Sequence, residues 1–421
     1  MNSQSFKNYM VNYKSNRVQR ISNVIIFFVI FLSLFKITPL SFLGPQYSSI
    51  FSEVLIIILL VLYLILNKFY ILSNSIISRL FLILIIVSLL FNVRVFFGLN
   101  LNPKESFNYL YYFLIWVSFS HLRQSCKIKS TLIVFELLIL INFSISILAY
   151  YNYDFFQLFS ILFETTKTST IGNPYDRFSG TFSNPNFLGF FSSFIALFSI
   201  IKLLNEFSFI TFTNLAFSLV LLNASGSRTS ILLMIGGLLI FFVIGFFGFH
   251  NNKFLRITFF RLSSVFILLL IFLFFTSNFI NFEDFVNQRS IDIDNAISSF
   301  FGRYDNLSYW INSISRYFIT GVGDFEGSLD NMFLRIAFES GFIVFLLFLF
   351  LLFTFNKILV DLKSKKTSYH WNSYVINLII MIFILLSSFS MATFQVTQLF
   401  SILLIIISIS APIKNKYYGF N

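Results

Sequence analysis

The chain reads Gly321-Val-Gly-Asp-Phe-Glu-Gly-Ser-Leu-Asp-Asn-Met-Phe-Leu-Arg-Ile-Ala-Phe-Glu-Ser-Gly341 where a long polar interval meets the apolar run Phe342–Phe355. This stretch carries Asp330, Arg335 and Glu339 into an otherwise hydrophobic helix. A charge inside a bilayer is expensive, so ionisable residues in a membrane helix indicate a functional site. We therefore expect the rest of the chain to be a scaffold that holds this segment at one membrane face.

The composition is typical of integral membrane proteins. Of the 421 residues, 57% are hydrophobic and 11% are charged, whereas soluble domains carry about 25% charged residues. The sequence predicts an all-α fold, a polytopic transmembrane helical bundle that forms a single integral membrane domain over residues 1–421. About twelve runs are long enough to cross a bilayer, and they are residues 22–43, 50–67, 77–98, 106–121, 130–150, 186–204, 207–223, 228–249, 257–281, 331–355, 372–391 and 393–411.

The net charge of +12 does not indicate a nucleic-acid partner. The basic residues are spread over short loops instead of being gathered on one face, and the positive-inside rule explains that distribution. The single cysteine excludes an internal disulfide and a cysteine metal cluster, and the three histidines form no ligand spacing. The sequence also has no nucleotide-binding fingerprint, so we expect neither a metal nor a cofactor.

The alternation of charge predicts the topology. Basic residues are concentrated in every second interval between spans, which is typical of cytoplasmic loops, and both termini then lie in the cytoplasm. Two large loops lie on the outer face, at residues 151–185 and 282–330. Within them, Phe155–Phe163 is partly amphipathic, and residues 295–318 are predicted to be a helix because apolar residues recur every three or four positions. The polar chemistry is concentrated on this outer face, where we expect the reaction or binding event.

The first motif, residues 173–189, reads Asn-Pro-Tyr-Asp-Arg-Phe-Ser-Gly-Thr-Phe-Ser-Asn-Pro-Asn-Phe-Leu-Gly. Asn184 and Pro185 are typical of a helix cap and a first helical position, and Asn186 follows them. We expect this helix start to present free N–H groups and a positive dipole end to the outer face. With Arg177 nearby, these groups suit a phosphate or sugar hydroxyls. The alternative is an ordinary outer turn with a solvated arginine.

The second and third motifs each contribute an arginine. A short outer turn, Asn223-Ala-Ser-Gly-Ser-Arg-Thr-Ser230, places Ser227 and Arg228 at the lip of the membrane. A guanidinium fork suits phosphate oxygens, although an arginine there can also extend to lipid headgroups. Arg303 and Trp310 are seven residues apart and share a helix face. They suit a phosphate or a sugar ring, and the alternative is an interfacial belt of aromatic and basic residues.

The fourth motif is the stretch quoted above. Asp330 and Asn331 are candidates to cap the tenth span, and a carboxylate at that lip can accept a proton as a general base. Asn331, Arg335 and Glu339 follow at intervals of four, so they share roughly one helix face and the last two can neutralise each other. The alternatives are a plain helix cap for Asp330 and, for the pair, a salt bridge that only fixes helix packing.

These motifs in this order resemble the O-antigen ligase and polymerase superfamily. The resemblance rests on Arg-Phe-Ser-Gly-Thr-Phe-Ser-Asn-Pro-Asn at 177–186, Ser-Gly-Ser-Arg-Thr at 225–229, Arg-x6-Trp at 303–310 and Gly-Val-Gly…Asp-Asn-x-Phe-Leu-x4-Glu-x-Gly at 321–341. It covers residues 173–355 in detail, whereas the first five spans match only in being hydrophobic.

The resemblance implies a metal-independent glycosyltransferase in the bacterial inner membrane with its active site on the periplasmic side. The implied donor is an oligosaccharide linked to undecaprenyl pyrophosphate, and the implied partners are that lipid, the bilayer and a chain-length regulator. Arg177, Arg228 and Arg303 would bind and stabilise the leaving pyrophosphate, with Asp330 as the base. The further substrate-binding residues implied are Asn184, Asn186, Ser227, Trp310, Asn331, Arg335 and Glu339.

One departure from the family separates its two branches. Ligases carry a histidine before the asparagine at the helix start, and this chain has Asp330 there. That difference favours a polymerase, which joins repeat units to each other, over a ligase, which transfers the chain to lipid A–core. Asp324 or Glu326 is an alternative base. A flippase or transporter is the non-enzyme alternative, although such proteins place their sites near the midplane with interrupted helices in both halves.

Overall fold

The structure is a computed structural model that describes residues 3–36, 45–67, 76–92, 103–124, 128–163, 167–168, 177–182, 184–205, 207–227, 230–231, 233–239, 318–321, 332–363, 380, 384 and 397–410. These residues are nearly all helical, which confirms the predicted all-α class. The helices are α1 (Ser3–Phe35), α2 (Pro45–Leu66), α3 (Ile76–Phe91), α4 (Pro103–Gln124), α5 (Ile128–Tyr151), α6 (Tyr153–Phe163), α7 (Pro185–Asn205), α8 (Phe209–Ser225), α9 (Met332–Glu339), α10 (Phe342–Lys363) and α11 (Thr397–Ser410). Two short strands, β1 (Lys167–Thr168) and β2 (Arg177–Phe178), pair antiparallel.

Several of these helices are compatible with a membrane bundle. Among the described residues, Val18–Phe35, Thr131–Tyr151 and Pro185–Leu203 are long and apolar enough to cross a bilayer, and further apolar helices are shorter. The fifth, sixth and seventh predicted spans correspond to α5, α7 and α8 within two residues at each end. The span predicted at 257–281 and most of those at 228–249 and 372–391 lie outside the described residues, so the number of spans stays a prediction.

The first predicted span, 22–43, has different bounds in the structure. Helix α1 begins at Ser3 and ends at Phe35, and Lys36 has a positive φ of 24°. The sequence continues Ile37-Thr38-Pro39, and proline is common just after a helix end because it cannot continue the helix. Hydropathy alone does not register that end, because the residues after it are still apolar.

The tenth predicted span, 331–355, is two helices, so the prediction of one continuous helix is wrong. Helix α9 ends at Glu339, and the chain turns at Gly341, whose φ is 87°. At this break Phe342 N–H donates to the carbonyl of Phe318 at 2.9 Å. A Cβ on Gly341 would lie 2.1 Å from the carbonyl oxygen of Ile319. The backbone of residues 318–321 therefore crosses the helix break in direct contact.

Helix α4 lies at the centre of the described packing. It contacts α2, α3 and α11, while α5 packs against α1 and α8, α7 packs against α8, and α10 packs against α3. Its large aromatic side chains are buried, and they include Tyr109, Tyr111, Tyr112, Trp116 and Phe119. These buried side chains show that α4 is largely enclosed by its neighbours.

The described helices expose many large apolar side chains. On α3, Ile86 and Leu90 are 55% and 60% exposed, whereas Ser78 and Ser88 are buried. The hydroxyl of Ser88 forms a 2.7 Å hydrogen bond with that of Ser106 on α4. Small polar side chains between helices and large apolar ones outside are typical of helices packed in lipid. This surface is compatible with the predicted membrane location.

Candidate functional site

The loop predicted at 151–185 contains helix α6 and the paired strands β1 and β2, and Arg177 is the first residue of β2. Helix α6 begins at Tyr153, covers the predicted amphipathic piece, and buries Phe159 and Phe163. Strand β2 follows, with Arg177 opposite Thr168 in the antiparallel pair. Because β2 also contacts α7 and α8, it places Arg177 where α7 begins and α8 ends.

The guanidinium of Arg177 joins two of the sequence motifs. Its Nε donates to the carbonyl oxygen of Ser225 at 3.2 Å, and one terminal nitrogen donates to Oδ1 of Asn186 at 2.7 Å. The arginine is half-buried. Both acceptors are neutral oxygens, and these two contacts orient the guanidinium. The motifs at 177–186 and 225–229 therefore meet at one cation.

The start of α7 is capped as predicted, but its N–H groups are not free. Oδ1 of Asn184 accepts the N–H of Asn186 at 2.8 Å, which is the bond of a helix cap. The carbonyl of Asn184 accepts the N–H groups of Phe187 and Leu188 at 3.0 and 3.3 Å, and Pro185 has none. The expectation that this helix start offers free donors is therefore wrong. The feature of this helix end that still favours an anion is the positive end of the helix dipole.

The turn after α8 is built from serines. Gly226 caps α8 with a φ of 59°, and the N–H of Ser227 donates to Oγ of Ser225 at 3.2 Å. The hydroxyls of Ser227 and Ser230 lie 2.7 Å apart, and Ser193 on α7 donates to the carbonyl of Ser230 at 2.7 Å. Ser227 is only 2% exposed, and its hydroxyl is engaged within this turn.

Gly189 is a site residue that sequence reasoning missed. A Cβ at this position on α7 would lie 2.6 Å from Oγ of Ser225, 2.7 Å from Cβ of Ser227 and 2.8 Å from Oγ of Ser230. The serine turn therefore rests directly on the α7 backbone. A glycine inside an apolar helix was the available signal, because small residues allow close approach of another backbone.

The predicted pair of Arg335 and Glu339 is confirmed as an ion pair on α9. Nε of Arg335 lies 2.8 Å from Oε1 of Glu339, with the carboxylate buried and the guanidinium partly exposed. The pair occupies the last turns of α9, immediately before the break at Gly341. This geometry fixes the short helix, and the proposed role of the pair in substrate binding stays a prediction.

The other predicted site residues lie outside the described part of the chain. They are Arg228, Arg303, Trp310, Asp330 and Asn331, together with the alternative bases Asp324 and Glu326. The loop predicted at 282–330 is described only at residues 318–321. The roles expected for these residues stay predictions.

A separate buried polar cluster lies toward the other end of α7. Lys202 on α7 forms an ion pair with Glu136 on α5, whose side chain is buried. Thr211 and Asn214 on α8 donate to a carboxylate oxygen and to the carbonyl oxygen of Glu136 at 3.4 and 3.0 Å. Glu136 inside an apolar run was the sequence signal. The cluster ties α5, α7 and α8 together, which gives Lys202 a structural partner.

The described residues contain no group of three or more acidic, histidine or cysteine side chains that could hold a metal ion. No family model matches the chain, and no curated protein matches it. Any proposal about function therefore depends on the chemistry of the residues themselves, above all on the contacts of Arg177.

Proposed function

We propose that this chain is an O-antigen polymerase, or a polymerase of a similar surface polysaccharide, in the inner membrane of a bacterium. Its donor is a growing glycan chain on undecaprenyl pyrophosphate, and its acceptor is the next lipid-linked repeat unit. The reaction takes place on the periplasmic side, and both termini lie in the cytoplasm. The observation that carries the proposal is the position of Arg177 between α7 and α8.

Arg177 can stabilise the negative charge that develops on the leaving group in this reaction. Two neutral acceptors, on residues 9 and 48 positions away in the sequence, orient its guanidinium at the positive end of α7. Fixed cations that face a developing negative charge stabilise the transition state without reorganising. A departing pyrophosphate is such a charge, and the fork of an arginine matches its oxygens. Arg228 directly follows Ser227 of the adjoining serine turn in the sequence, and we propose that it acts together with Arg177.

The proposed chemistry is a direct displacement at the anomeric carbon. A hydroxyl of the non-reducing sugar on the incoming unit attacks that carbon, and Asp330 accepts the hydroxyl proton as general base. The bond from the anomeric carbon to the phosphate oxygen breaks, and undecaprenyl pyrophosphate leaves with the electron pair. Arg177, Arg228 and Arg303 stabilise the leaving group. A single displacement inverts the configuration at the anomeric carbon.

The helix break at Gly341 bears on the transporter alternative. Transporters bind substrate where helices are interrupted near the midplane. Here the break is followed by α10, whose apolar part is Phe342–Phe355. The Arg335–Glu339 pair lies on α9, before this apolar part begins. With the outward orientation predicted from the charge pattern, the pair would lie at the mouth of the bundle, as an enzyme of this kind needs.

Reconstituted polymerisation tests the proposal. The full chain in lipid vesicles is given undecaprenyl-pyrophosphate-linked repeat units, and the products are separated on a gel. We expect a ladder from the wild type and a rate about 100-fold lower from Arg177→Gln, since that variant removes one fixed cation. Arg20→Gln, which removes an exposed arginine from α1, serves as the control and should be unaffected.

Two results would count against this account. If the wild type leaves every unit unjoined, the proposed function is wrong. If Arg177→Gln builds the ladder at the wild-type rate, polymerisation stands and the pyrophosphate role of Arg177 is wrong.

A further inference from the structure

The carbonyl oxygen of Leu34, at the end of α1, is the centre of a buried polar node. It accepts hydrogen bonds from Nδ2 of Asn142 at 3.1 Å, from Nε2 of Gln398 at 2.9 Å and from Oγ1 of Thr181 at 3.4 Å. Nδ2 of Asn142 also lies 3.0 Å from Oγ1 of Thr181. All four residues are at least nine-tenths buried.

The node has a simple physical origin. The last carbonyls of a helix have no partner within the helix, and a buried carbonyl without a hydrogen bond is costly. Leu34 is the next-to-last residue of α1. Its donors come from three separate parts of the chain, with Asn142 on α5, Gln398 on α11 and Thr181 in the segment between β2 and α7. One orphan carbonyl therefore ties two other helices and the Arg177 segment to α1.

Thr181 belongs to a tight turn just after Arg177. The N–H of Phe182 donates to the carbonyl of Ser179 at 3.0 Å, and Gly180 adopts a φ of 58° within that turn. Phe178 packs against Phe159 of α6, and both Phe178 and Phe182 are buried. Within this apolar turn the hydroxyl of Thr181 is a polar anchor to the helix bundle.

Arg177 is thus held from two sides. Its guanidinium is oriented by Asn186 and Ser225, and its backbone leads within four residues to Thr181 in the node. We propose that Asn142, Thr181 and Gln398 are positioning residues that set the location of Arg177 for the pyrophosphate of the donor. This inference rests on the proposed function, because it assigns these residues to the same phosphate site.

Binding of undecaprenyl pyrophosphate to the full chain in nanodiscs provides the test. Asn142→Leu and Thr181→Val remove node donors while keeping the number and branching of the side-chain heavy atoms. We expect each to weaken the affinity about tenfold, since small displacements of a positioned group have large effects. Thr181→Ser keeps the hydroxyl and should bind like the wild type. Adding Asn142→Leu to Arg177→Gln should cause no further loss, because the node acts through Arg177.

Asn214→Leu is the matched control. Asn214 on α8 is equally buried and also donates its amide to a backbone carbonyl, that of Glu136. Its replacement should lower the thermal stability but leave the affinity unchanged. A general loss of helix packing would instead weaken binding in Asn214→Leu and Asn142→Leu alike, and that result would overturn the inference.

The remaining outcomes separate this inference from the proposed function. If Arg177→Gln weakens binding but Asn142→Leu and Thr181→Val do not, the positioning role is wrong and the phosphate site stands. If Arg177→Gln binds as tightly as the wild type, the phosphate site itself is wrong. In that case, amide hydrogen exchange at residues 177–182 tests whether the node holds this segment in place. Faster exchange in Asn142→Leu than in the wild type supports that role, and unchanged exchange overturns it.

Discussion

At the scale of single residues, the site depends on the absence of a side chain at Gly189. The space a Cβ would need is taken by atoms of Ser225, Ser227 and Ser230 within 2.8 Å. Gly189→Ala must therefore displace the serine turn, and with it the carbonyl that orients Arg177. We expect the polymerisation rate to fall about tenfold or more, because the geometry of the cation changes.

A glycine in a different helical segment supplies a control for that prediction. Gly236 lies in the helical residues 233–239, and a Cβ there would meet no atom of the described residues within 4 Å. Gly236→Ala should polymerise at the wild-type rate. An equal rate for Gly189→Ala and Gly236→Ala would show that the contact between the turn and α7 does not matter for the reaction.

The contacts of single residues could be predicted from the sequence where both partners lie close together along the chain. The cap at Asn184 and the pair of Arg335 and Glu339 both follow from spacing along one helix, and both are confirmed. The free N–H groups expected at the start of α7 were wrong, because the cap and its carbonyl satisfy them. Asn142 and Gln398 meet across 256 positions of sequence at one carbonyl, and no local pattern indicates such a meeting.

At the scale of elements, the break between α9 and α10 requires glycine. Gly341 has a φ of 87°, and a Cβ added to it would collide with the carbonyl of Ile319. Gly341→Ala combines a strained backbone with a collision between backbone atoms. We expect it to lower the free energy of unfolding by about 1–3 kcal/mol. The measurement is the midpoint of thermal unfolding in detergent, which should fall.

Gly236→Ala is again the reference, since it adds the same methyl group in open space. A thermal midpoint for Gly341→Ala equal to that of Gly236→Ala would mean that the helix continues through residue 341 in solution. The continuous span predicted at 331–355 would then be restored.

The sequence could predict elements where hydropathy changes at their ends. Helices α5, α7 and α8 are bounded by polar turns, and their bounds were close. The break at Gly341 lies inside a hydrophobic stretch, and only the approach of residues 318–321 reveals it. Long-range contacts of this kind decide where a helix ends, and a pattern within the helix does not contain them.

At the scale of the whole molecule, composition indicated a helical membrane bundle, and the exposed apolar surface is compatible with it. The two motifs around Arg177 meet, as the proposed function requires. The Arg335–Glu339 pair belongs to another part of the described fold, α9 on α10. The loop that would carry Arg303 over the site lies mostly outside the described residues, so a single site containing all four motifs stays a proposal.

The central claim is that this chain joins repeat units to one another. The most direct measurement is a lipopolysaccharide gel from a strain lacking this gene, run beside the same strain complemented with the wild-type gene. A polymerase predicts lipid A–core carrying one repeat unit in the deletion strain, with the full ladder restored by complementation. Loss of every core-attached unit would contradict the claim and indicate a ligase, and an unchanged ladder would contradict either enzyme.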